Sequence, residues 1–268
     1  MTDPLFTFPQ IDPVAIALGP VQIRWYALAY VAGLIGGWWV LRRQIKHGLS
    51  ILNKDQLDGL MNACLVGILV GGRLGYVLFY NPSAYLAAPL DIFKVWQGGM
   101  SFHGGLSGVI LAILWCARRY RLNPLAIGDE VALVAPLGLL FGRLANFING
   151  ELYGRVTDHR FGIIFPGGGP LPRHPSQLYE AAAEGLVLLG LVWAVRGWQT
   201  KTGAADGLIL SCFLGGYGLA RFFIEYVRAP DAHIGLVGAG LSMGQILCLP
   251  MIAAGSAGLI WCIRRRQK

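Results

Sequence analysis

The chain has 268 residues, of which 55% are hydrophobic and only 13% charged, with a formal net charge of +8. Soluble domains carry about 25% charged residues; so few charges cannot clothe a water-facing surface, which excludes a soluble globular protein and makes lipid the natural solvent. The basic residues form no single stripe or patch, so the positive charge does not point to nucleic acid.

The N-terminal stretch MTDPLFTFPQIDPVAIALGP contains no Lys or Arg. It lacks the basic region of a cleavable signal peptide and is expected to stay on the mature protein. Beyond it, seven apolar windows are long enough to cross the hydrocarbon: 21–41, 57–79, 100–117, 127–147, 178–195, 206–225 and 241–263. The expected fold is therefore all-α, a polytopic membrane protein of about seven transmembrane helices. The whole chain, 1–268, reads as one integral membrane domain, without an internal repeat, and with one long loop at 148–177.

Charges between the windows set the direction. Thirteen of the 22 basic residues follow the first, third, fifth and seventh windows or precede the second, whereas Lys94, Arg155, Arg160, Arg173 and Arg228 lie on the other side. The positive-inside rule then places the N-terminus in the periplasm and the C-terminus in the cytoplasm. The five cysteines sit within or beside apolar runs, with no CxxC and no His at ligand spacing. They read as small buried side chains, with no metal site implied.

Four arginines fall within or at the edge of these windows: Arg24, Arg73, Arg143 and Arg221. An arginine at mid-membrane costs at least about 2.5 kcal/mol, so each must face protein, water or an anion, or reach the headgroups along its aliphatic stem. For Arg24 and Arg73 both readings stand. Arg143 and Arg221 have polar company. In GRLANFINGELYGR, a continuing helix puts Arg143, Asn146 and Gly150 on one face. In GGYGLARFFIEYVR, Tyr217, Arg221 and Glu225 follow at i, i+4 and i+8. An Arg–Glu pair at that spacing can be mere charge neutralisation, but Tyr217 adds a hydroxyl to the same face.

His103 opens the third window in SFHGGLSG, and imidazole is the side chain most readily used as a proton acceptor near neutral pH. Gly104, Gly105 and Gly108 leave room there for a lipid tail or another helix. The loop ends in RHPSQLYE, where His174 either fixes the loop or joins the site. Glu151 and Glu180 either act as acids and bases or satisfy the arginines. His103, Arg143, Asn146, Glu151, Tyr217, Arg221 and Glu225 all map to the outer half of the membrane. Two arginines and a candidate base at headgroup depth suit a phosphate-bearing lipid whose tails remain in the bilayer.

At these residues the sequence resembles the bacterial prolipoprotein diacylglyceryl transferases. The likeness runs through IDPVAIALGPVQIRWY, SFHGGLSG, GRLANFINGELYGR, RHPSQLYE and GLARFFIEYVR. It implies an inner-membrane enzyme, with its active site toward the periplasm, that transfers the diacylglyceryl group of phosphatidylglycerol to a thiol. The acceptor it implies is the lipobox cysteine of a preprolipoprotein that still carries its signal peptide. The products would be a thioether and glycerol 1-phosphate. Position by position, the family's functional residues fall on Tyr26, His103, Arg143, Asn146, Gly154, Tyr217, Arg221 and Glu225, and no cofactor is implied. The rival reading is a transporter or flippase for an anionic lipid. An intramembrane serine protease would lack its GxSxG segment, with only Ser107 near His103 in its favour.

Overall fold

The computed structural model describes residues 6–9, 11–19, 21–229, 236–237 and 240–266. Lys268, counted above in the C-terminal basic run, lies outside them. Among the described residues there are seven helices of 17 residues or more, and one falls on each apolar window. They are α1 (Trp25–Lys46), α2 (Lys54–Phe79), α4 (Phe102–Tyr120), α5 (Pro124–Ile148), α6 (Ser176–Thr202), α7 (Leu208–Ile224) and α8 (Met243–Arg266), with a six-residue helix α3 at Pro82–Ala87. Four of them, α2, α5, α6 and α8, are long and apolar enough to cross a membrane, and α7 is a shorter apolar helix. The chain is an all-α polytopic membrane protein. Two compact units arise, residues 1–40 with 129–268, and residues 41–128.

In the unit formed by residues 41–128, α2 and α4 pack closely. α2 begins with a reciprocal cap: Asn53 accepts from the Gln56 backbone N–H, and the Gln56 side chain accepts from that of Asn53. Its glycines Gly67, Gly71 and Gly75 repeat every four residues and so form one stripe. A Cβ on Gly104 would fall on the Gly71 carbonyl oxygen, and one on Gly108 on that of Gly67. In lipid, where apolar burial drives little association, small residues let two backbones approach and gain dispersion contacts. The glycines beside His103 therefore admit another helix.

Arg73 is the polar centre of this unit and is 5% exposed. Its guanidinium donates to five backbone carbonyls: Ile92 (2.8 Å), Asp91 (2.6 Å), Lys94 (3.3 Å), Gly98 (2.5 Å) and Gly99 (3.1 Å). All five of its N–H donors are thereby used. Arg73 thus folds the 91–99 segment onto α2 and does not reach for headgroups. Gly99 permits this at φ +79°, where a Cβ would strike the Tyr76 ring at 2.7 Å.

In the other unit, a hairpin of β1 (Val14–Leu18) and β2 (Val21–Arg24) precedes α1. Arg24 ends that hairpin and is exposed, so it lies outside any helix. The first expected window accordingly starts too early: its first four residues are strand. Close glycine contacts recur here. Gly255 of α8 lies against Gly215 of α7, where an added Cβ would come within 2.7 Å of the Gly215 Cα.

α5 and α6 run antiparallel and meet at both ends through charged residues. At one end Asp129 accepts from the backbone N–H groups of Gly207 (2.9 Å) and Leu210 (2.7 Å) and from the Gln199 side chain (3.0 Å). It thus caps α7 from another helix, a role usually taken by the residue just before the helix. Beside it Arg196 and Glu130 pair at 2.6 Å. The five cysteines are free and buried.

Candidate active site

The opposite end of α5 carries Arg143. Its Nε and Nη2 donate to Glu184 Oε2 at 3.3 and 3.1 Å, and its Nη1 lies 3.2 Å from Glu180 Oε2. From α7, Arg221 pairs with Glu180 through Nη1 and with Glu225 through Nη2 at 2.8 Å. Arg228 completes the set, its Nη1 3.0 Å from Glu180 Oε1. One carboxylate therefore faces three guanidiniums. Glu180 and Glu184 are both 0% exposed, and ions so buried persist only because each has a partner within reach.

Local sequence explains the convergence. α6 opens as an ordinary helix over Ser176–Glu180, then widens into a π-helical turn at Ala181–Val187 before resuming. Such turns are rare and often lie at functional sites. Glu180 and Glu184, four residues apart across the start of this turn, both lie against Arg143. Gly185 lets α6 close on α5, because a Cβ there would meet the Leu140 Cβ at 2.8 Å.

Asn146, one turn after Arg143, is 5% exposed and donates from Nδ2 to Glu151 Oε1 at 2.9 Å. The expectation that Arg143, Asn146 and Gly150 share a helical face does not hold at its last member. α5 stops at Ile148, and Gly150 has φ +66°. That turn returns Glu151 to Asn146, a contact no helical register would give. Tyr217, half-buried on α7, lies within electrostatic range of Glu184, Arg221 and Arg143. Tyr26 on α1 shares a 3.1 Å hydrogen bond with Tyr30, which in turn senses Arg143 and Glu151.

The 149–175 loop is folded tightly. Gly154 bridges to Arg228, and its N–H donates to the His174 carbonyl at 2.8 Å. A Cβ on Gly154 would press on the Val227 carbonyl at 2.5 Å, which is why this position takes glycine. Arg155 Nε donates to the Arg228 carbonyl at 3.0 Å, so this loop also holds the backbone that presents the third arginine. Gln177, fully buried, donates to the Glu151 carbonyl at 2.6 Å. His174 stands at the loop's hinge beside Tyr179 (3.5 Å), where burial and the neighbouring His159 lower its pKa. Its contacts are those of a loop-fixing residue.

Of the expected site residues, Arg143, Arg221 and Glu225 join one ion-pair network, Tyr217 lies within its electrostatic range, and Asn146 pairs with Glu151 one turn beyond Arg143. Tyr26 adjoins them through Tyr30, and Gly154 braces the loop. His103 belongs to the unit formed by residues 41–128. It is exposed in the first turn of α4, its ring edge-on to Phe102 and its carbonyl accepting from Ser107 Oγ at 2.9 Å. The Ser107 hydroxyl is thus spent on its own helix, which removes the one feature favouring a serine nucleophile. Glu184 and Arg228 were not expected, and Glu180 was expected only as one of two alternatives. Their signal was present: arginines in lipid need counter-charges, and EAAAE places two in an apolar window.

Known proteins share this sequence over most of its length. Residues 13–261 match the family described as prolipoprotein diacylglyceryl transferase. A phosphatidylglycerol–prolipoprotein diacylglyceryl transferase of Rhodospirillum rubrum is 53% identical over 97% of this chain and 95% of its own. Proteins of the same name from Vibrio atlanticus and Pseudomonas aeruginosa are 48% and 47% identical, covering 99% and 97% of this chain and 96% and 97% of theirs. At such identity and coverage the chain belongs to the prolipoprotein diacylglyceryl transferase family.

Proposed function

We propose that this protein is an enzyme of the bacterial inner membrane that transfers the diacylglyceryl group of phosphatidylglycerol to the lipobox cysteine of a preprolipoprotein. The observation that carries the reading is the buried meeting of Arg143 and Arg221 on Glu180, with Asn146 and Tyr217 beside them. A guanidinium binds phosphate through parallel N–H donors, and in a water-poor site such contacts are strong. The family relationship supplies the reaction, and this cluster is where an anionic headgroup would be held.

In the proposed mechanism, the cysteine thiol loses its proton to a base, since the thiolate is the competent nucleophile. His103 either accepts that proton or orients the thiol while another base does so. The sulfur attacks the diacylglycerol carbon that bears the phosphate ester; the S–C bond forms as the C–O bond breaks. Glycerol 1-phosphate leaves with the oxygen, and a thioether remains. Arg143 and Arg221 stabilise the charge gathering on the leaving phosphate, Asn146 and Tyr217 hydrogen-bond the headgroup, and Glu225 steadies Arg221. Glu151 orients Asn146, Tyr26 lines the lipid side, and Gly154 keeps the loop closed over Arg228.

We assign seven spans in a single functional domain, with a periplasmic N-terminus, a cytoplasmic C-terminus and the site open toward the periplasm. The support is the alternation of basic residues between windows. The test is direct: purified protein, phosphatidylglycerol and a lipobox peptide should yield a lipidated cysteine stable to thioester-cleaving hydroxylamine. An unmodified peptide, together with lipid moved between leaflets, would replace this reading by the flippase, which no structural observation favours.

A further inference from the structure

The arginine cluster holds more negative charge than steadying two guanidiniums requires. Arg143, Arg221 and Arg228 face Glu180, Glu184 and Glu225, three charges of each sign. Glu180 already touches all three arginines, and Glu225 adds a second partner for Arg221. Glu184 touches only Arg143, through one oxygen; its Oε1 is buried and has no hydrogen-bond partner. A buried acceptor left unsatisfied costs about 1–3 kcal/mol, so this carboxylate is poorly explained as a stabilising element. Its placement is nonetheless specific: Glu184 lies within the π-helical turn at Ala181–Val187, next to Gly185, where α6 closes on Leu140 of α5.

The reaction assigned above supplies a reason. The substrate phosphate is a diester with one negative charge. The departing glycerol 1-phosphate is a monoester, whose second ionisation near pH 6 gives it a charge of about −1.5 to −2 at pH 7. A site with surplus positive charge would hold that product more tightly than the substrate and stall after one turnover. We propose that Glu184 is a positioning residue that fixes Arg143 through Nε and Nη2 and, by cancelling the surplus positive charge, lets glycerol 1-phosphate leave. It does not touch the reacting atoms. Of the five N–H donors of Arg143, one on Nε and one on Nη2 bond Glu184, while Nη1 lies in an ion pair with Glu180 at 3.2 Å. Among the described residues its other N–H groups make no hydrogen bond and can meet a phosphate oxygen while Glu184 holds the plane of the guanidinium.

The inference rests on the transfer reaction proposed above, and one assay separates the two. With purified protein, phosphatidylglycerol and a lipobox peptide, Glu184→Gln keeps the side-chain shape and removes the charge. The inhibition constant of glycerol 1-phosphate should fall about tenfold, the size of one charge-assisted contact. KM for phosphatidylglycerol should fall less, kcat should drop, and a first-turnover burst of lipidated peptide should remain. Glu184→Asp, which keeps the charge, should retain the inhibition constant of the unaltered enzyme. An unchanged or raised inhibition constant in Glu184→Gln would overturn the proposal and leave Glu184 a structural ion. Should Glu184→Gln fail to fold, the unaltered enzyme decides: glycerol 1-phosphate must inhibit with a constant above the KM for phosphatidylglycerol, and a constant below it overturns the proposal. If the unaltered protein lipidates no peptide at all, the transfer reading fails first.

Discussion

α5 carries a charged cluster at each end, and the two are built to opposite rules. Near its start, Asp129 gives both carboxylate oxygens to three N–H groups of Gly207, Leu210 and Gln199. About 20 Å along the helix, at 1.5 Å per residue, Arg143 enters a set of three guanidiniums and three carboxylates in which one oxygen of Glu184 has no partner. At the first, the Asp129 carboxylate itself is fully matched, by two backbone N–H groups at the start of α7 and by the Gln199 amide. The second keeps donors and an acceptor in reserve, as a site must if it is to take a charged ligand and release it. Burial alone does not distinguish them, for Asp129 is 2% exposed and Glu184 0%. What differs is the carboxylate: both oxygens of Asp129 accept hydrogen bonds, and only one of Glu184 does.

Substitutions can break this contrast, and the largest effect is expected in the arginine cluster. Arg143→Lys or Arg221→Lys keeps the charge but loses the planar fork that reaches two partners at once. Lipid transfer should fall about a hundredfold, within the range for losing a preorganised transition-state donor, while the thermal midpoint in detergent changes little. At Asp129 the pattern inverts. Asp129→Ala removes the cap on α7 and should cost about 2 kcal/mol of stability, read as an earlier unfolding transition, with the rate per folded molecule unchanged. A loss of turnover without a loss of stability would erase the distinction drawn here.

The smallest effect belongs to the loop that covers the arginine cluster. Burial and His159 lower the His174 pKa in the folded state, so the unfolded chain binds that proton more readily. The neutral ring is compatible with the fold above about pH 6.5, the ordinary histidine value. As the pH falls below it, protonation favours opening. Limited proteolysis of the 149–175 loop should therefore quicken in mild acid, and His174→Gln should remove that dependence.

Much of the architecture was legible because lipid imposes one strong rule. Each apolar window carries a helix, since a spanning backbone must satisfy its own polar groups. The hairpin at Val14–Arg24 escaped because its residues are as apolar as the helix that follows, and hydropathy does not tell the two apart. Within the site, Arg143, Asn146, Tyr217, Arg221 and Glu225 were visible as polar residues at helical spacing. Glu184 was not singled out: although EAAAE holds two carboxylates in an apolar run, which arginine each meets is fixed only by a neighbouring helix. The π-helical turn that carries it leaves no mark in composition, and the return of Glu151 to Asn146 depends on a left-handed glycine at 150. Nor did the pattern foretell Arg73, whose partners are carbonyls eighteen or more residues away.

Arg73 carries a consequence for how a segment of short helical turns survives beside oil. Leu86, Leu90, Phe93 and Trp96 are each more than 70% exposed, and side chains of that kind belong against acyl chains or the carbonyl belt of the lipid. Peptide oxygens brought there unpaired would each forfeit their hydration. One cation, fixed in α2, gathers five of them into a single knot, and the strand of chain around it can lean on the bilayer with its oily residues outward and its amide oxygens turned in.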